Sequence, residues 1–279
     1  MTSHEKIALP RQAAHVWHAT LDGASKHLIR LEPMLSVDER ERAARLRRSE
    51  DRNRFVVTRG FLREVLSTYT HIDPAVIQFE YGPKGKPRMQ AGSAVAPLQF
   101  NLSHCDSIAL LAITADRPVG VDIERVRADP EDSLIVRQFF SPAEREEYFS
   151  VGDADKPRAF ARLWTRKEAY LKALGEGLSK PLDSFTVGFT SRAYTHHALP
   201  LQTRGDTEPW TVLGLDVACG YEAALAAPGE ILDVLSWIWQ PGLRVGSSLT
   251  SSCAPYRDRP LSGGRRDQHA DKRIDSASR

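Results

Sequence analysis

The chain has 279 residues, 41% of them hydrophobic and 27% charged, with a formal net charge of +2. That length allows one large domain or two small ones. So small a net charge does not point to a nucleic-acid binder, and no run approaches the length of a membrane span. The first residues, MTSHEKIALPRQAAHVWHA, lack the uninterrupted apolar core of a signal peptide. Cys105, Cys219 and Cys253 are odd in number, far apart and fit no zinc spacing. Reduced thiols in a cytoplasmic protein are therefore expected.

His15 to Leu21 alternates loosely and predicts a first strand. Ser36-x-x-Glu39 is a capping-box pattern that opens a short Arg-rich helix to about Arg48. Ser49 predicts the cap of a second helix reaching about Tyr69. On that helix Phe55, Thr58, Leu62, Val65, Leu66 and Tyr69 form one stripe, Arg52, Arg59 and Arg63 an adjacent one, and Arg54 flanks the first. Nine arginines against five acids between Asp38 and Arg63 predict a positive surface. A solvated helix face would look the same. Arginine in place of lysine tilts the reading toward an anion, because a guanidinium grips a phosphate with two hydrogen bonds.

Ile77 to Tyr81 reads as a strand running into the turn-rich, three-cation loop Gly82 to Arg88. Leu98 to Ser103 is a further strand, followed by His104. Asn101-Leu102-Ser103 matches the glycosylation sequon, a match without meaning in an unsecreted protein. Ile108 to Thr114 is an apolar run expected to be a buried strand. Val119 to Glu124 is the next strand, on which Asp122 and Glu124 share a face and Val121 and Ile123 the other. Two carboxylates side by side repel. A cation between them would remove the conflict, and so would water on an exposed strand.

Ser141-Pro142-Ala143-Glu144 opens a helix to Phe149. The next helix is expected to start at Asp155 with Pro157 and to stop at Gly175. Phe160, Leu163, Trp164, Leu171 and Leu174 mark its buried face, while Glu168 and Lys172, four apart, share another. An ordinary surface ion pair would explain them. So would a metal-ligating base beside a phosphate-binding lysine. Phe185 to Phe189, Trp210 to Val217 and Tyr221 to Ala226 read as strands, and Ile231 to Trp239 as a last apolar segment. From Pro241 the composition turns to Gly, Ser, Pro and charge, and residues 242–279 are expected to be a disordered tail. No strong internal repeat is evident.

The motifs Gly120-Val121-Asp122-Ile123-Glu124 and Trp164-Thr165-Arg166-Lys167-Glu168-Ala169-Tyr170-Leu171-Lys172-Ala173-Leu174-Gly175 resemble the paired signature of the 4′-phosphopantetheinyl transferases. Phe100-Asn101-Leu102-Ser103-His104 and Gly85-Lys86-Pro87 are similar to that family's other two motifs, in the same order. The length suits its single-chain Sfp-like (surfactin-type) branch, and the resemblance covers about Val16 to Trp239.

That resemblance implies an α+β fold of two similar α/β halves, residues 1–116 and 117–241, with the active site in the cleft between them. It implies transfer of 4′-phosphopantetheine from coenzyme A to a serine of an apo acyl or peptidyl carrier protein, releasing adenosine 3′,5′-bisphosphate. Asp122, Glu124 and Glu168 are expected to hold Mg2+, with Mn2+ as the alternative. Glu168 is expected to act as base and Lys172 to steady the leaving phosphate. Arg42, Arg54, Arg59, Ser103 and His104 are expected near the coenzyme, and Lys86 and Pro87 at its adenine. In some relatives basic residues of the first short helix hold the 3′-phosphate. Here one such place is Glu39 and the other Arg42. Leu174, Gly177, Leu178 and Lys180 are expected to meet the carrier, although core packing and turn chemistry would also explain them. A monomer without nucleic-acid or membrane partners is expected. Two alternatives remain open from sequence: a non-catalytic homologue that binds coenzyme A and carriers, and an enzyme of the same fold acting on another nucleotide anhydride.

Overall fold

The apolar run Ile108–Thr114 is buried along both faces because it is an inner strand with a core on each side. The computed structural model describes residues 7–90, 98–175, 177–188, 209–231 and 233–242. Its strands are β1 (Ala13–Thr20), β2 (Phe79–Tyr81), β3 (Pro87–Met89), β4 (Gln99–Cys105), β5 (Ile108–Thr114), β6 (Gly120–Arg125), β7 (Trp210–Leu215), β8 (Tyr221–Pro228) and β9 (Asp233–Ile238). Its helices are α1 (Leu28–Leu31), α2 (Val37–Ala44), α3 (Ser49–Thr70), α4 (Asp132–Phe139), α5 (Pro142–Phe149) and α6 (Lys156–Leu174).

One sheet runs β4-β5-β1-β9, the second runs β6-β8-β7, and β2 with β3 makes a separate hairpin. Period two sorts the inner strands. Ala109, Leu111 and Ile113 face a core built with Phe61, Leu62, Val65 and Leu66 of α3. Leu110, Ala112, Ala14 and Val16 face a shared core with Val121, Ile123, Leu213, Leu215 and Leu225 of the second sheet. Ala224, Ala226 and Val212 turn the other way, toward Leu163, Tyr170 and Leu171 of α6. The two sheets also meet edge to edge, where the Val121 amide donates to Asn101 Oδ1 at 2.9 Å.

The expected strand at Ile231–Trp239 is present as β9, but it pairs in parallel with β1. It therefore belongs to the sheet of the first half, although a boundary at 116/117 assigns it to the second. Phe185–Gly188, expected as a strand, forms none. Its backbone is satisfied by side chains: the Val187 amide donates to Glu144 Oε1 at 2.7 Å, and the Phe185 and Gly188 carbonyls accept from Lys167 and Arg166. Helix α4 was not expected from sequence. Phe189 and residues 243–279, which make up nearly all of the expected tail, lie outside the described residues.

Each half carries the same polar lock. In the first half Ser36 and Glu39 form a capping box on α2, and the buried Glu39 carboxylate also accepts from Arg59 and, at 2.7 Å, from Arg63 of α3. Arg63 passes on to the carbonyls of Pro74 and Ile77, each at 2.8 Å. In the second half Ser141 and Glu144 form the box on α5, Glu144 pairs with Lys167 of α6 at 2.8 Å, and Lys167 reaches the carbonyls of Leu182 and Phe185. A buried acid so tied satisfies helix-end amides and a buried cation together. The expected positive stripe on α3 is accordingly half interior: Arg59 and Arg63 are buried, at 8% and 0% exposure. Among the described residues no helix is long and apolar enough to cross a membrane.

Candidate active site

Strand β6 lies against α6 closely enough that only glycine fits at position 120. A Cβ there would stand 1.9 Å from the Ala169 carbonyl oxygen and 2.5 Å from the Ala173 amide nitrogen. A glycine inside a strand pattern signals such a close approach of two backbones. The contact brings the Asp122–Glu124 face of β6 against the Glu168–Lys172 face of α6. Glycine also ends α6, where Gly175 adopts φ 77° and returns its amide to the Leu171 carbonyl.

Three side chains meet directly. Lys172 Nζ donates to Asp122 Oδ1 at 2.5 Å and to Ser103 Oγ at 3.0 Å, and Ser103 Oγ donates to Asp122 Oδ1 at 3.0 Å. Asp122 and Ser103 are buried, while Lys172, Glu124 and Glu168 are half-buried. The surface-pair reading of Glu168 and Lys172 fails on this geometry, because Lys172 pairs across to β6 instead of along its own helix.

The surroundings make carboxylate charge expensive. Burial, then the neighbouring Asp122, push the Glu168 carboxyl above its ordinary value, against the opposing pull of Lys172. Glu124 is pushed up in the same order of causes, with Glu168 adding to the repulsion. His104, on β4, is held below its ordinary value by desolvation and then by the Lys172 charge, which favours the neutral ring.

A hard divalent cation fits this donor set in one respect that the geometry makes plain. Asp122 Oδ2 is buried and has no hydrogen-bond partner among the described residues. Two further carboxyls are electrostatically coupled to it, and a cation would relieve all three. Among the described residues no three His, Cys, Asp or Glu side chains form a ready cage. A Mg2+-type ion keeps waters and substrate oxygens in its shell and takes one or two protein carboxylates.

The other expected residues lie apart from this cluster. Arg54 of α3 pairs with Asp22, its Nε to Oδ1 at 2.9 Å. Arg42 is exposed, with its guanidinium 5.4 Å from the Phe55 ring centroid. Arg59 is committed to Glu39 and reaches Tyr81 Oη at 3.4 Å. Glu39, flagged in the sequence as standing where a cation was expected, is thus the counter-ion that holds two arginines inside. Pro87 opens β3 and is half-buried. Lys86 Nζ is not free at the hairpin tip. It donates to the carbonyls of Val119 at 3.0 Å, Lys172 at 2.7 Å and Ala173 at 3.1 Å. Burial and then Arg88 bring its ammonium down to about 8. Beyond the site, Lys180 Nζ donates to Tyr170 Oη at 3.3 Å, Leu174 packs on the second core, and the Leu178 side chain lies outside the described residues. Sequence reasoning missed the Lys86 carbonyl contacts and the locks of Glu39 and Glu144.

Two family models match the chain. The 4′-phosphopantetheinyl transferase superfamily matches residues 118–221, and the N-terminal part of 4′-phosphopantetheinyl transferase matches residues 18–116. The chain is 35% identical over 235 residues to 4′-phosphopantetheinyl transferase HetI of Nostoc sp., an alignment covering 84% of this chain and 93% of that protein. It is 32% identical to the putative 4′-phosphopantetheinyl transferase slr0495 of Synechocystis sp., over 63% of this chain and 70% of that protein. It is 28% identical to 4′-phosphopantetheinyl transferase Sfp of Bacillus subtilis, over 69% of this chain and 82% of that protein.

Proposed function

The chain belongs to the 4′-phosphopantetheinyl transferase superfamily, in its Sfp-like branch, and we propose that it moves 4′-phosphopantetheine from coenzyme A to a serine of an apo acyl or peptidyl carrier protein. The reaction releases adenosine 3′,5′-bisphosphate. The observation that carries this reading is the Ser103–Asp122–Lys172 chain of contacts, with the raised Glu168 carboxyl on the same helix face. A lysine, a buried acid with a spare oxygen and a carboxyl ready to take a proton are what attack on a pyrophosphate requires.

Asp122, with Glu124 and Glu168, would hold Mg2+ or, in its place, Mn2+. Such an ion, when bound, would supply positive charge against the pyrophosphate and the charge that develops as it breaks. Glu168 takes the proton of the carrier serine, directly or through a water, and its raised proton affinity brings it closer to the operating pH. Lys172 Nζ donates to the departing phosphate. Ser103 and Asp122 aim that ammonium, so little reorganisation is needed as the charge forms. Arg54, Arg42 and His104 receive the 3′-phosphate end of the coenzyme, with Arg59 behind them and Ser103 beside His104. The Gly85–Pro87 backbone meets the adenine, and the adjoining Lys86 side chain grips the wall of the site. The carrier docks near Leu174 and Lys180. One chain supplies every one of these groups, which supports action as a monomer. The free thiols of Cys105 and Cys219 fit a reducing cytoplasm.

The test is intact-mass analysis of apo-carriers incubated with coenzyme A, with and without Mg2+. Addition of one phosphopantetheine to the carrier serine, abolished by chelator and by Asp122→Ala in a folded protein, is the expected result. An unmodified carrier panel, with coenzyme A consumed or bound, would overturn it.

A further inference from the structure

We propose that Lys86 is a positioning residue for the transfer step, one that sets where the Lys172 ammonium stands by tying the end of α6 to the β2–β3 hairpin and to the start of β6. This inference rests on the transfer reading above.

The last four carbonyls of any helix have no partner within it. On α6 the Leu171 carbonyl is used by the Gly175 amide, while those of Lys172 and Ala173 accept from Lys86 Nζ at 2.7 and 3.1 Å. A cation is also the favoured charge at that end of a helix dipole. The third contact, to the Val119 carbonyl at 3.0 Å, lies one residue before Gly120. Gly120 is where β6 touches α6 through backbone alone. One ammonium thus fills its three donor positions with carbonyls from both elements that carry the Asp122–Lys172 pair.

The grip is local to the chemistry. Lys86 holds the main-chain carbonyl of the residue whose side chain pairs with Asp122 and Ser103. Gly175, which ends α6, lies beside the same side chain: a Cβ built there would stand 3.7 Å from the Lys86 Cδ. Without the ammonium, two helix-end carbonyls and the lead-in to β6 lose their donor together. The last turn of α6 then loosens, and Lys172 with it. The hairpin that carries Lys86 comes from the first half, so the same bond makes the position of a second-half lysine depend on the first half.

The experiment is steady-state transfer to an apo-carrier with coenzyme A varied, for wild type, Lys86→Met, Lys86→Arg and Lys86→Ala, each with its melting temperature. A misplaced catalytic group costs about 10- to 100-fold in rate. Lys86→Met is expected to lose kcat by that factor per folded molecule at saturating coenzyme A, with a smaller change in KM. Lys86→Arg should recover part of the loss, and added ethylammonium should restore part of the rate of Lys86→Ala. Wild-type transfer with an unaffected kcat in Lys86→Met overturns the proposal and leaves the transfer reading standing. So does a loss that tracks only the unfolded fraction and that neither ethylammonium nor arginine repairs. A raised KM with unchanged kcat would mean that Lys86 serves coenzyme binding alone, and also overturns it. Absence of transfer by the wild type would overturn both readings.

Discussion

Gly120→Ala is a one-carbon change whose cost can be worked from the packing of β6 on α6. Ordinary contact begins at 3.4 Å, and the new Cβ would stand 1.9 Å from the Ala169 oxygen, so the backbones must part by about 1.5 Å. Both obstacles are main chain, at Ala169 O and Ala173 N, and neither can rotate away. Overpacking of this kind costs about 1–3 kcal/mol, and in a protein of this size each kcal/mol lowers Tm by about 2–4 °C. The larger effect should be on rate. The same parting lengthens the 2.5 Å contact between Lys172 and Asp122 beyond hydrogen-bond reach, and a displacement of about 1 Å is enough to cost about 100-fold. Urea unfolding and single-turnover transfer to an apo-carrier measure the two effects. Gly152→Ala is the control, since a Cβ there meets nothing within 4 Å. A Gly120→Ala protein with wild-type stability and rate would refute the claim that this contact sets the site.

Lys172→Ala should slow the chemical step by about 10²- to 10³-fold per folded molecule. Glu168→Gln, which keeps an oxygen but cannot take a proton, should also cut single-turnover transfer severely. Near-normal rates for both would reduce the cluster to a structural ion pair. Glu39→Gln leaves Arg59 and the fully buried Arg63 without their counter-ion, and should cost about 3–5 kcal/mol in urea unfolding. Burial alone would raise the Glu39 carboxyl, but Arg59 and Arg63 outweigh it and hold it below its ordinary value. Its stabilisation is therefore present at neutral pH and lost as pH falls through that lowered value, a loss that Glu39→Gln should not show. His15 is buried against Tyr69 and Trp237, and desolvation brings its ring down to about 4 from 6.5. The fold holds it neutral, so acidification from 6.5 toward 4 should cost up to about 3 kcal/mol of stability. His15→Gln should flatten that part of the curve, and an unchanged curve would show the ring is not protonated on unfolding.

How much of this was readable in the sequence depends on how far apart the partners lie. Asp122 with Glu124, and Glu168 with Lys172, announce themselves through local periods of two and four, and each pair does present one face. Gly120 was readable as a glycine within a strand pattern. The partners of Arg59 and Arg63 lie 20 and 24 residues away, and those of Lys86 as many as 87. No local pattern encodes such pairings, so Arg59 and Arg63 read as part of a positive surface, solvated or anion-binding, and Lys86 as a loop cation expected at the adenine. Helix α4 escaped for another reason: it is only eight residues long and no side chain caps its start, so its apolar residues carry no helix-start signal. Strand β9 was visible as an apolar segment. Its return to β1 was not, because a parallel pairing leaves no turn in the sequence to reveal it.

The repeated lock also bears on where the candidate base falls. Lys167 is fixed on the core side of α6 by Glu144 and two loop carbonyls. A helix turns about 100° per residue, so burying Lys167 swings Glu168 toward Asp122 of β6, and Lys172 follows one turn later. In the first half Arg63 takes the place of Lys167, held by Glu39 and the carbonyls of Pro74 and Ile77. The residue after it is again a glutamate. Glu64, however, pairs with Arg30 and accepts from Trp239 Nε1 at 3.0 Å, just past β9. That glutamate is spent in joining the C-terminal strand to α3, and its neighbours compensate its charge. Glu168 instead is raised above its ordinary value by burial and then by the Asp122 charge across on β6. The same local geometry yields a structural carboxylate in one half and a candidate base in the other, and the difference lies in what the opposite strand or helix presents.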